Sequence, residues 1–180
     1  MTQYASELGS AKSAYPEIFN YGIIAAGALG VLGSIGLFMA LRRTGRWLAA
    51  ALAGLSVAAW GFSMIMGGMF PMPDERHGGF GVGLAIQLAP LFFVWALWSE
   101  RGRGGLKAFL VLDFLAMTAG FVVMMGIGGL VTHANVGLWQ RAYALTMMPW
   151  MSIVAWALLV RPVRGRDRLS AGAVMPSAAA

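Results

Sequence analysis

Five long apolar runs alternate with short polar interruptions along this chain. They cover about residues 18–41, 47–70, 80–98, 106–131 and 138–160. Each is near the ~20 apolar residues that the hydrocarbon core of a bilayer demands. Lipid offers no partner for open backbone N–H and C=O groups, so runs of this kind predict helices. Small residues recur at helical spacing within them: Gly22, Ala26, Gly30 and Ser34 in the first, Ala50, Gly54 and Ala58 in the second. Gly79 and Gly83 open the third in the same way. Faces of this type let helix backbones approach closely in lipid. Pro90 interrupts the third run, and Pro149 predicts a kink in the fifth, because proline lacks a backbone donor and crowds the preceding turn. The expected fold is therefore all-α, a transmembrane bundle of five helices (18–160). A polar segment (1–17) precedes it, and a basic, low-complexity tail (161–180) that is expected to be disordered follows.

The sharpest break in the pattern is Gly67–Gly83, GGMFPMPDERHGGFGVG. Two prolines stop a helix there, and Asp74, Glu75, Arg76 and His77 are too costly to hold in hydrocarbon. The stretch predicts an exposed corner between two buried spans. The connector 132–136, with His133 and Asn135, belongs to the same membrane face.

Charge then orients the bundle. Ten of the thirteen Lys and Arg residues fall in the loops after spans one and three and in the tail, and three fall on the other side (Lys12, Arg76, Arg141). The positive-inside rule places the N-terminus outside, the tail in the cytoplasm, and the acidic corner outside. Trp47, Trp98 and Trp139 stand where an interfacial aromatic belt is expected.

Composition narrows the class further. The 180 residues are 59% hydrophobic and 11% charged, against about 25% charged in soluble domains, and mean hydropathy is +0.72. The net charge of +6 lies between apolar runs, with no basic stripe interleaved with aromatics, so no nucleic-acid partner is expected. The absence of cysteine excludes disulfides, thiol catalysis and cysteine metal ligands. The first residues lack the basic start and small-residue cleavage site of a secretory signal. The partner implied is a lipid bilayer, and the expected location is the plasma membrane.

Three phrases carry a resemblance. YASELGS (Tyr4–Ser10) leading into FNYGIIAAG (Phe19–Gly27), GGMFPMPDERHG (Gly67–Gly78) and GLWQRAYAL (Gly137–Leu145) resemble the domain of unknown function 998 family. These are small multispanning membrane proteins of bacteria and archaea. The likeness runs from Tyr4 to about Arg161. Members of that family typically carry a further span before the Y-x-S-x-L-G phrase, and this sequence starts at that phrase. The resemblance thus implies a shortened member or a start lying upstream. It supplies no activity, and the cofactor stays unknown.

The residues capable of chemistry are few. Asp74, His77 and His133 are candidate catalytic groups on the outer face, with Arg141, Gln140 and Asn20 as candidate ligand contacts. A carboxylate, two imidazoles and a guanidinium around one vestibule suit acid–base chemistry or an anionic headgroup. The alternative is that Asp74 caps the next segment, Arg76 pairs with a neighbour, and both histidines are solvated. Met66, Met69 and Met72 lie three apart, with Met124 and Met125 at matching depth. Thioethers suit Cu(I), but methionine also fills gaps in apolar packing, and no metal is expected. Asp113 is the one acid well inside a span, about 10 Å past the basic edge at helical rise. At about 2.5–3.5 kcal/mol for insertion, it should face the bundle or a wet cavity. A proton or cation relay is one reading, and a protonated acid, or one tied to a Ser, Thr or snorkelling Arg, is the other. Asn20, Tyr21 and Gln87 are expected interhelical hydrogen-bonders. Three functions stay open: binding or handling of a lipid or headgroup-bearing ligand at the outer face, a small transporter using Asp113, and an accessory subunit without catalysis.

Overall fold

A computed structural model of the chain describes residues 3–163, so the basic tail beyond them lies outside the described residues. Helix α1 (Pro16–Leu41) starts on Pro16, whose missing N–H is harmless in a first turn. A 3-10 turn (Arg42–Thr44) leads into α2 (Trp47–Met69), which stops at Phe70 ahead of Pro71 and Pro73. The third span departs from a single helix over 80–98. It is a 3-10 segment (Gly79–Leu88) joined to α3 (Ala89–Ala96), with Pro90 in the first turn of α3. Phe80 and Gly81 take φ of 56° and 75°, which no right-handed helix contains. Helix α4 (Gly104–Met124) ends short of the Val131 boundary expected from hydropathy. Gly126, Gly128 and Gly129 adopt φ of 79°, 87° and 66°, a left-handed path that ends the helix although the sequence stays apolar. The fifth span breaks where Pro149 predicts, into α5 (Val136–Met147) and α6 (Pro149–Val160). Among the described residues there is no strand. Five segments are long and apolar enough to cross a membrane, and the chain is a multi-pass membrane protein.

Backbone contact between α1 and α2 is set by three glycines. A Cβ on Gly27 would sit 2.5 Å from the Gly61 carbonyl oxygen, one on Gly61 would sit 2.7 Å from that of Gly27, and one on Gly68 would sit 2.6 Å from that of Asn20. The close face is therefore rotated from the expected one. Gly30 and Ser34 belong to it, but Gly22 meets nothing within 4 Å and Gly27 takes its place. Gly79 and Gly83 pack as expected, both against Ser63 of α2. The hydrophobic core gathers towards the basic end, where Leu41, Leu97, Leu110 and Ile86 belong to one buried cluster with Phe93 and Trp150. The last two meet edge to face, centroids 5.4 Å apart.

Two contacts fix how α4 runs beside α5 and α6. Near one end Gly120 lies against the Tyr143 ring. Near the other, the buried Arg103 donates from Nη1 to the Ala157 carbonyl (3.3 Å) and from Nη2 to that of Arg161. The helices are antiparallel, and Asp113 and Trp150 each lie seven residues from the Gly120–Tyr143 contact. That is about 10.5 Å along α4, and a comparable reach across the Met148–Pro149 break. Trp150 also shares a buried cluster with Leu110 and Met117, on either side of Asp113, which gives the two a similar depth in the bundle.

Candidate functional site

The acidic corner closes on itself. Arg76 donates from Nε to Asp74 Oδ1 (2.9 Å) and from Nη2 to Oδ2 (2.7 Å), while its guanidinium stacks 3.8 Å from the Phe70 ring centroid. The Arg76 backbone N–H also donates to Asp74 Oδ1. The side-chain hydrogen bonds from Arg76, and then its backbone N–H, hold the Asp74 carboxyl down at about 2. The same pairing raises the guanidinium above its usual range. His77 lies 3.0 Å through Nδ1 from the Phe70 carbonyl, which can only accept, so Nδ1 carries the proton. It thereby satisfies a carbonyl left open at the C-terminus of α2. Ser63 Oγ donates to the Gly78 carbonyl (2.9 Å) and ties the corner to α2.

The remaining outer candidates serve another element. A 3-10 turn, Ala5–Gly9, lies across this face. The Ala5 N–H donates to Gln140 Oε1 (2.6 Å), and Arg141 Nη1 donates to the Gln3 carbonyl (3.3 Å) and to that of Gly137 (2.8 Å). Asn20 Nδ2 donates to the Gly9 carbonyl (3.0 Å), and Ser6 Oγ to Met72 Sδ (3.1 Å). His133 is exposed in the α4–α5 connector, and its side chain makes no hydrogen bond among the described residues. Among the described residues no hydrogen bond or ion pair joins Asp74 or His77 to His133 or Arg141. No group of three His, Asp or Glu side chains there could hold a metal ion. The outer candidates thus divide into a self-paired corner, a clasp on the N-terminal segment and one solvated imidazole.

Inside the bundle the polar groups are under-satisfied. Gln87 Nε2 donates to the Tyr143 hydroxyl, which makes Gln87 the expected interhelical hydrogen-bonder and Tyr143 its partner. Gln87 Oε1 is buried without a partner. So are Asp113 Oδ2 and Trp150 Nε1, at the common depth derived above. Asp113 lies between Leu110 and Met117 on α4, both fully buried in the cluster that contains Trp150. It therefore turns an oxygen inward, as the insertion cost requires, and no hydroxyl or arginine meets it. Tyr21, by contrast, is 70% exposed, and its hydroxyl bonds to nothing among the described residues.

A larger opening lies elsewhere, on the side of the bundle. Helix α1 leans on α2 and makes no comparable contact with α6, leaving a lateral groove of about 540 Å³ between α1 and α6. Gly30, Gly33 and Leu37 form one wall, Ala155 and Leu159 the other, and Trp60 of α2 the floor. A Cβ on Gly33 or Gly36 would meet nothing within 4 Å, so these glycines open space instead of admitting a helix. Ser152 is one of the few polar side chains along it. Sequence reasoning missed this groove. Its one visible signal is a glycine triplet (30, 33, 36) that drifts off the α2-facing side. The inward roles of Arg103, Tyr143 and Trp150 had no local signal, since each depends on a partner more than 50 residues away or on helix rotation.

Compared with known proteins, residues 1–157 match the family described as "Protein of unknown function (DUF998)". No curated protein matches the chain, and no solved structure does.

Proposed function

We propose, from the premise that this chain belongs to the DUF998 family of proteins of unknown function, that it is a membrane protein that holds the apolar chain of a lipid or similar amphiphile sideways in the bilayer. The observation that carries this reading is the 540 Å³ groove between α1 and α6. Its volume falls in the ~300–1,000 Å³ range of ligand sites. Walls from three helices offer a hydrocarbon chain contact on three sides, where an ordinary lipid-facing helix offers one. The outer face supports a ligand site less well, because Asp74, Arg76 and His77 are engaged within the corner, Asn20, Gln140 and Arg141 hold the N-terminal segment, and His133 stands apart from both. With this reading goes the orientation expected from charge, the Lys/Arg-rich end in the cytoplasm of a plasma membrane.

The test is photolabelling in nanodiscs with a phospholipid carrying a diazirine in its acyl chain. Adducts should concentrate on 26–40 and 151–159, and Gly33→Trp should remove them. Adducts spread evenly onto the exposed face of α4, at Leu112 and Leu115, would refute the groove as a site.

A second reading, a proton- or cation-coupled role for Asp113, is favoured by one observation. Its Oδ2 is buried without a partner, at the depth of an equally unpartnered indole N–H. Retaining such a group costs stability, and function is a common reason for doing so. A folded Asp113→Asn protein that has lost its cellular phenotype supports that reading.

A further inference from the structure

The groove has a charged mouth, and this narrows what occupies it. It extends along α1 from Ala26 to Ala40. At helical rise that is about 21 Å, more than half of the ~30 Å hydrocarbon thickness. Its lower end is framed by Ala40 and Leu159. Two residues beyond Ala40 comes Arg42, with Arg43 next, and two beyond Leu159 comes Arg161. All three are exposed. Among the described residues none of their side chains makes a hydrogen bond or ion pair.

Of the other described cations at this end, Arg101 is exposed in the loop after α3 and bonds to no described side chain or carbonyl, and three are engaged. Arg103 caps the carbonyls of Ala157 and Arg161, Arg46 Nη2 donates to Ser99 Oγ (2.8 Å), and Lys107 Nζ donates to the Trp98 carbonyl (3.1 Å). No acidic side chain lies in the Arg42–Trp47 loop, and none follows α6 through Val163. The division is informative. Those three cations have carbonyl or hydroxyl partners, whereas the three at the groove mouth have none among the described residues and straddle its two walls.

Building on the lipid-binding reading, we infer that the groove binds an anionic phospholipid of the leaflet at the basic end, with one acyl chain between α1 and α6 and the headgroup phosphate against Arg42, Arg43 and Arg161. Hydrocarbon gains little by leaving other hydrocarbon, so packing in the groove alone gives weak preference in lipid. Selection has to come from the headgroup. A basic side chain near an anionic surface contributes ~1 kcal/mol, about fivefold. Guanidinium groups also match phosphate geometry through paired N–H donors.

The experiment uses the full chain in bilayers with nitroxide-tailed phosphatidylglycerol or phosphatidylcholine of identical chains, and measures the motionally restricted fraction by electron paramagnetic resonance. The protein should prefer phosphatidylglycerol by about five- to twentyfold, and 1 M salt should weaken that preference by screening. Arg42→Gln/Arg43→Gln/Arg161→Gln should remove the preference while keeping a restricted phosphatidylcholine component. Gly33→Trp should lower restriction of both lipids alike. Because Gly33 faces open space, that variant fills the groove without disturbing the fold, and Gly36→Trp is its duplicate. Equal association of the two lipids with the unmodified protein overturns the headgroup assignment but leaves the acyl groove standing. Unchanged restriction in both tryptophan variants overturns the groove itself. Efficient cross-linking between two copies of a Gly33→Cys protein shows that a second chain fills the groove and overturns the lipid assignment.

Discussion

Replacing Asp113 with leucine should make this protein more stable. Neither carboxyl oxygen of Asp113 accepts a hydrogen bond among the described residues, and Oδ2 is fully enclosed. Leaving a buried acceptor unpaired costs about 1–3 kcal/mol. Inserting aspartate near the centre of a transmembrane helix costs about 2.5–3.5 kcal/mol, where leucine is slightly favourable. Part of that gain is lost, because the bundle must accommodate a bulkier side chain between Leu110 and Met117. The side chain is only half-buried and can extend towards lipid, so the packing penalty should stay near the low end of the 1–3 kcal/mol seen on overfilling a core. The expected net effect is a stabilisation of about 1–2 kcal/mol. Asp113→Asn keeps the shape and an acceptor and should stay within about 1 kcal/mol of the parent. Unfolding in mixed dodecyl sulfate–maltoside micelles, followed by far-UV circular dichroism, measures both. A double-mutant cycle with Trp150→Phe completes the test, because the two unpartnered groups share a depth and could meet after a small rotamer change or through a water. Coupling below about 0.5 kcal/mol is expected. Destabilisation by Asp113→Leu, or coupling above 1 kcal/mol, would refute the reasoning by showing that the carboxyl is satisfied.

Five further outcomes come from the packing, the outer corner and the proposed orientation. Gly61→Ala, whose new Cβ meets the Gly27 carbonyl oxygen at 2.7 Å and Val31 N at 3.0 Å, should lose about 1–3 kcal/mol in the same unfolding assay. Gly33→Ala, facing open space, should be neutral or gain up to about 1 kcal/mol of helix propensity. Arg103→Ala should cost about 1.5–3 kcal/mol by stripping charge-assisted bonds from the C-terminal carbonyls of α6, with Arg103→Lys recovering only part, since one ammonium cannot reproduce the fork. At the corner, the Asp74 carboxyl is lower in the folded state than its ordinary 3.8, so its contribution is complete above about pH 4 and is lost as pH falls through about 2. Hydrogen exchange at the Arg76 and His77 amides should rise across that window, and Asp74→Asn should abolish the pH dependence. A cysteine introduced at Glu75 should label with an impermeant thiol reagent in intact cells and one at Ser99 should not; the reverse pattern would invert the proposed orientation.

How much of this was readable without coordinates depends on how local each signal is. The five spans, the Pro149 break, the Gly79/Gly83 approach and the inward turn of Asp113 all follow from properties of short segments. Hydrocarbon sets the length, proline removes a donor, and a carboxyl avoids lipid whatever surrounds it. Helix α4 was misjudged at its end because hydropathy registers apolar glycines but not the backbone angles they take. The Asp74–Arg76 pair lies within one loop and was foreseeable as a neighbour pairing. The clasp of Gln140 and Arg141 on the N-terminal segment joins groups about 135 residues apart, and no spacing rule links them.

The sequence by itself determined that this is a bundle of membrane helices, where its corner and loops fall, and which few side chains can do chemistry. Only the tertiary structure decided which of those side chains are already occupied, which are left without partners, and where a ligand has room. The physical reason is rotation and register. A helix turns 100° per residue, so moving the close α1 face from Gly22 to Gly27 redirects every side chain on it. It turns Ala26 from an expected packing residue into part of the wall of a groove, beside Gly33 and Gly36.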